Sequence, residues 1–297
     1  MKRRHLMLML APAMCALAVI GCTASTDTSD VLFDPSNGGT AIARKPLEGI
    51  EGLATIKGTV TYDGEVPEMR EPAGVAAHKD RAYCCTKGCP REETWVVDPA
   101  TKGVANVVVW VNCPSGKYFP LQDYFKNPPS LPKTWKEEET VDQPFCAFEP
   151  HVVILFPQYY DGEQMQPTGQ VFKVKNEATI PHNINLSGIN SIMQPKSDRV
   201  FDLKPQPAPR RPEVTNMGCD IHGWMKGYAW AFDHPYAAKT MTDGSFEIKN
   251  VPAGVELTFT AWQEELGRKV PEANGPAGIK KTLKAGQTEL INFKVKR

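Results

Sequence analysis

Apolar residues along this chain fall in short, β-branched runs bounded by Pro, Gly and Asn, and helical periodicity is weak throughout. That punctuation predicts an all-β protein of the sandwich type. Residues 54–64 read as a strand closed by the Asp63-Gly64 turn, and residues 104–111 as a second strand, apolar enough to be buried on both faces. Residues 112–145 break the pattern with six prolines and read as a long irregular insertion, a length that usually marks function or mobility. Its aromatics, Tyr118, Phe119, Tyr124, Phe125 and Trp135, suit either a partner-docking surface or a flap over the sandwich. Residues 152–156 form a short apolar run, and residues 169–176 alternate apolar and polar as a half-buried strand should. Further strands are expected at 199–203 and 228–232. Residues 242–262 read as strand, Pro252-Ala253-Gly254 turn and strand, with 280–283 and 289–295 closing a sheet.

One apolar run differs. Residues 6–20 follow Lys2, Arg3 and Arg4, are short for a membrane span, and end in Gly21-Cys22. A basic segment, an apolar segment and a small residue before Cys match a bacterial lipoprotein signal, with residues 1–21 removed and Cys22 lipidated; the plainer alternative is an ordinary signal peptide with an incidental Cys. Residues 22–50, rich in Ser, Thr, Asp, Gly and Asn, then read as a flexible tether. The expected location is the periplasm or cell envelope, with the membrane reached through the lipid alone. Signal removal would take three of the 34 basic residues, leaving 31 against 34 acidic ones. A body so close to neutral offers nothing to a nucleic acid.

An oxidising compartment changes how the cysteines are read. Cys84, Cys85 and Cys89, with His78 upstream, offer donors for a metal cluster, but disulfide chemistry fits an exported protein better. Pairing among Cys84, Cys85, Cys89, Cys113 and Cys146 is not legible from spacing. If Cys219 binds metal, at least one of these five thiols is unpaired.

The candidate chemistry lies in Cys219-Asp220-Ile221-His222-Gly223-Trp224-Met225, which offers a thiolate, an imidazole and a thioether within seven residues. Thiolate and imidazole suit copper or zinc, and the thioether favours copper, since a trigonal type 1 site takes one Cys, two His and a weak axial Met. His182, in Pro181-His182-Asn183 after the alternating strand, is the available second imidazole. His151 is a further candidate, near the metal loops or at a second site, against the plainer reading of a strand-surface histidine. His234 reads as shaping a turn.

From Phe148 to Met225 the order of motifs resembles the cupredoxins, amicyanin and pseudoazurin above all. The match runs through Phe-x-Pro at 148–150, Gly169-Gln170-Val171-Phe172-Lys173-Val174-Lys175-Asn176, Pro-His-Asn at 181–183 and Cys-x-x-His-x-x-Met at 219–225. The resemblance implies a Greek-key sandwich holding one type 1 copper ion through His182, Cys219, His222 and Met225, with Asn183 tying the two ligand loops together. It implies electron carriage between a redox donor and a redox acceptor, and no enzymatic role. Alternatives are a copper-handling protein without redox traffic, or a structural lipoprotein with a degenerate site. Gly223 stands where the family often has Pro, and residues 187–218, with five prolines, are long for it.

The end of the chain carries a second resemblance. Thr242-Asp243-Gly244-Ser245-Phe246 followed by Val251-Pro252-Ala253-Gly254 is similar to the carboxypeptidase regulatory-like (transthyretin-like) domains, an immunoglobulin-like β-sandwich. The expected organisation is therefore an N-terminal β region at 51–145, a copper domain at 146–234 and a regulatory-like sandwich at 235–297, with the first completing the last because neither end alone has strands enough to bury a core.

Overall fold

The computed structural model describes residues 44–126, 129–186, 189–201, 212–270 and 277–297. The signal segment, Cys22 and most of the tether lie outside the described residues. The chain is all-β, with two helices of four residues each, Arg81–Cys84 and Gln122–Phe125, among the described residues. No described helix is long and apolar enough to cross a membrane.

Two hydrophobic cores form, each between sheets. Around the candidate site a five-stranded sheet runs in the order Ile189–Met193, His182–Leu186, Glu213–Gly218, Lys226–Ala231, Val152–Leu155, the last pair parallel and the others antiparallel. Facing it is a three-stranded sheet of Ser197–Phe201, Val171–Asn176 and Glu138–Asp142. The alternation of Val171–Asn176 turns Phe172, Val174 and Asn176 inward, where the two apolar side chains meet Phe148, Leu155, Ile184, Leu186 and Met217.

The second core joins both ends of the chain. Gly52–Tyr62 pairs antiparallel with Ser245–Ala253 and parallel with Thr288–Leu290 and Phe293–Val295. Val108–Asn112 pairs with Glu256–Trp262 and Ala237–Lys239. Ile56, Val60, Val109, Val111, Leu257, Phe259 and Phe293 fill the space between these sheets. Close approach here demands glycine, since a Cβ on Gly58 would stand 1.8 Å from the Ile291 carbonyl oxygen. A third, aromatic cluster of Trp110, Trp230, Phe232 and Trp262 lies between the two cores, with Trp110 and Trp230 centroids 5.1 Å apart. It puts the outer face of the strand leaving the metal loop against the second sandwich.

Some sequence expectations shift. The strand expected at 104–111 begins at Val108, because Ala105 and Asn106 turn, Asn106 at φ 64°, while the side chains of residues 107–111 are fully buried as expected. The insertion is not irregular throughout: Glu138–Asp142 is a strand parallel to Val171–Asn176. Its aromatics do not form a docking surface, since Tyr118, Phe119 and Tyr124 are buried and Phe125 and Trp135 pack on the second core. Within residues 187–218 the strands Ile189–Met193, Ser197–Phe201 and Glu213–Gly218 form, the second overlapping the strand expected at 199–203, while residues 187–188 and 202–211 lie outside the described residues. Two disulfides form, Cys84–Cys146 and Cys85–Cys89, leaving Cys113 and Cys219 as the free thiols among the described residues.

Candidate metal centre

His182 opens the strand His182–Leu186, and what delivers it is a turn pinned by Asn176. The buried Asn176 amide donates to the carbonyls of Ile180, Met193 and Gln194, while its oxygen accepts Ala178 N–H. With both halves of the amide satisfied, residues 177–181 have one way to run, and the imidazole is placed inside. Cys219 directly follows the strand Glu213–Gly218, and Lys226–Ala231 directly follows Met225, so residues 219–225 form the hairpin connection between two paired strands. His182–Leu186 pairs with the first of them at Asn185↔Gly218, which brings His182 and Asn183 alongside the loop.

The three donors converge. Nδ1 of His182 and Nδ1 of His222 stand 3.0 Å apart, and Cys219 Sγ lies 3.9 Å from each. His182 and His222 are wholly buried and Cys219 nearly so. Met225 is buried in the same cluster, and its N–H donates to the His222 carbonyl at 2.8 Å, closing the loop as a turn. Asn183 ties the loops together. Its side-chain oxygen accepts the N–H groups of Asp220 and Ile221 at 2.6 and 3.2 Å, and its amide donates to Asp220 and Asn190. Its backbone N–H and that of His222 both point at Cys219 Sγ, at 3.5 and 3.4 Å.

Burial sets the protonation. It drives the His182 pKa down to about 4, helped by the neighbouring His222 ring, and lowers that of His222 against the pull of Asp80. Both imidazoles are therefore neutral at pH 7. Burial raises the Cys219 thiol, opposed by the backbone N–H groups of Asn183, His222 and Ile221. Two neutral imidazoles cannot both aim a lone pair at the other across 3.0 Å with nothing between; a proton or a cation must lie there. The donor set, two nitrogens and one sulfur around a shared point with a thioether on the same loop, fits a soft or borderline cation and, among these, copper.

Two residues sit behind His222: Asp80, which sequence reasoning missed, and His78, which it set beside the Cys84, Cys85 and Cys89 cluster. Asp80 Oδ2 is 3.1 Å from His222 Nε2, and the His78 ring lies 4.8 Å from the His222 ring and 5.0 Å from Trp224. They belong to a strap between the strands Gly52–Tyr62 and Val108–Asn112, fastened to the site by Cys84–Cys146 and by Tyr83, whose hydroxyl donates to the Pro144 carbonyl and accepts Thr179 N–H. No periodicity marks such a strap; the Cys cluster was its one sequence signal.

His151 stands apart from this set and is not on the surface. Its Nε2 meets Glu264 Oε2 at 2.7 Å, and its Nδ1 lies 3.1 Å from Glu93 Oε2, off the hydrogen-bond line. Burial disfavours its charge, yet the two carboxylates hold its pKa up to about 9, and the same bond keeps Glu264 below the usual carboxylate range despite burial. It faces a cavity of about 300 Å³ shared with Trp224, Met225, Glu93 and Glu264. His234 is buried against Phe119, Phe232 and Tyr236, its Nδ1 accepting Tyr236 N–H at 3.1 Å.

No family model matches the chain, and no curated protein is similar to it. The solved structures it is similar to include a purple cupredoxin from Nitrosopumilus maritimus, 13% identical over 31% of this chain and 98% of that one, with a TM-score of 0.24. Amicyanin from Paracoccus versutus is 11% identical over 41% of this chain and 97% of its own, also at 0.24. A copper-containing nitrite reductase from Thermus scotoductus is 15% identical over 32% of this chain and 22% of its own, again at 0.24. Likeness this slight carries no functional assignment, which has to stand on the donors themselves.

Proposed function

We propose that the chain is an exported, lipid-anchored type 1 copper protein that carries single electrons between a redox donor and a redox acceptor. The observation that carries this reading is the convergence of His182 Nδ1, His222 Nδ1 and Cys219 Sγ in one buried cluster, on strands and a hairpin that fix their positions. Copper, when bound, would supply a one-electron couple. The chain's part is to keep the donors in place through that change. Asn176 fixes the approach of His182, Asn183 locks the ligand loop to the neighbouring strand, and two N–H groups aim at the sulfur. Met225, buried in the same cluster, would supply the thioether donor.

Enclosure supports carriage over catalysis, because no donor is open to a substrate. It also speaks against copper handling, which calls for exposed sites. Two disulfides among the described residues support an oxidising compartment. The sandwich built from both chain ends, which resembles the regulatory-like domains in its turn motifs, would serve as scaffold, since the aromatic cluster seats the metal-loop strand on it. The test is spectroscopic. Copper-loaded protein should show the intense thiolate-to-copper absorption of this site class and bleach reversibly on one-electron reduction. A colourless protein that still binds copper, or one that binds none, would sink the reading.

A further inference from the structure

The two imidazoles of the cluster are not held alike. His182 Nε2 is buried without a hydrogen-bond partner, whereas His222 Nε2 faces the Asp80 carboxylate at 3.1 Å. Asp80 lies 142 residues from His222 in sequence, outside the stretch that supplies the donors. Its place is nonetheless fixed. It directly precedes the helix Arg81–Cys84, its carbonyl accepts Cys84 N–H at 3.0 Å, and Cys84 is bonded to Cys146 beside the metal loop. A sulfur of that disulfide and a nitrogen of His222 lie within 4.8 Å of each other.

We infer that Asp80 is the positioning residue of His222, fixing the tautomer that turns the Nδ1 lone pair toward the metal and strengthening that nitrogen as a donor. The inference rests on the copper reading. An ionised carboxylate can only accept, so the imidazole must carry its proton on Nε2. The lone pair then falls on Nδ1, the atom that faces His182 Nδ1 and Cys219 Sγ. A carboxylate behind a ligating imidazole also raises its basicity. The competing use of the same atoms, a second cation held by His78, Asp80 and His222, is disfavoured because His78 Nδ1 already accepts the Asp80 backbone N–H at 3.2 Å.

The test compares full-length wild type with Asp80→Ala and Asp80→Asn, the second keeping an acceptor oxygen without the charge. Imidazole ¹⁵N NMR on the metal-free proteins reads the tautomer directly. Wild type and Asp80→Asn should show His222 with its proton on Nε2, and Asp80→Ala should show a mixture or the Nδ1–H form. Competition titration should show copper(II) affinity about 10- to 100-fold weaker in Asp80→Ala and weakened less in Asp80→Asn, the range seen when such supporting carboxylates are removed. An unchanged tautomer and an unchanged affinity in Asp80→Ala would overturn the assignment. The proposed function fails separately, if wild type binds no copper, and the tautomer measurement still decides what Asp80 does.

Discussion

Two buried histidine clusters lie on either side of the same loop, and they have opposite chemistry. His151 sits between Glu93 and Glu264, and those carboxylates keep it protonated to about pH 9. His182 and His222 sit beside each other and a thiol, with one carboxylate among them, and are neutral at pH 7. Burial is nearly equal. What differs is whether the chain supplies the counter-charge. The first cluster brings its own and is complete as an ion pair; the second turns nitrogen and sulfur donors toward one another, with its one carboxylate behind His222. A buried histidine thus marks a ligand site only when its neighbours are donors rather than carboxylates on both nitrogens.

Substitutions can break that contrast, and the largest effect belongs to the sulfur. Cys219→Ala should abolish the thiolate-to-copper absorption outright while leaving the fold intact, read by absorption and far-UV circular dichroism. His151→Ala should do the reverse. It leaves the half-buried Glu264 without its cationic partner, though Thr94 still donates to it, costing about 2–3 kcal/mol in urea unfolding, with the copper spectrum of the folded protein unchanged. Raising the pH is a gentler form of the same change. Because His151 gains protons on folding, its contribution is present below about 6.5, the ordinary histidine value, and is lost as pH rises through about 9. Wild type should lose up to about 3 kcal/mol across that window, and His151→Gln should not. Smallest of all, Met225→Leu should keep the absorption and raise the reduction potential, since losing a thioether donor would disfavour the more oxidised ion. Voltammetry measures it.

The sequence showed one cluster far better than the other, for a physical reason. Cys219, His222 and Met225 are on one hairpin loop, so their relation is short-range and survives as spacing. His182 was findable because a period-two strand and a Pro-His-Asn turn precede it. The partners of His151, Glu93 and Glu264, come from separate elements and meet only through tertiary packing, so a buried ion pair was read as a choice between extra metal ligand and surface residue. Asp80 was hidden in the same way, in a strap without periodicity. Glu138–Asp142 escaped as a strand because four of its five residues are polar, leaving Val141 alone to face the core. At residues 104–107 the opposite happened: apolar side chains are buried there by a turn, and hydrophobicity alone does not distinguish turn from strand. All-β architecture was legible throughout, since it follows from many short runs rather than from any one of them.

The strap that covers His222 also has a kinetic meaning. With all four donor residues buried and His222 covered by a segment that Cys84–Cys146 holds, a chelator in solution has little to touch until the protein opens locally. Release of a bound ion would then be timed by local opening of the protein, at a rate that stops rising with chelator concentration, so the lifetime of the centre is a property of the disulfide-tied cover as much as of the ligands beneath it.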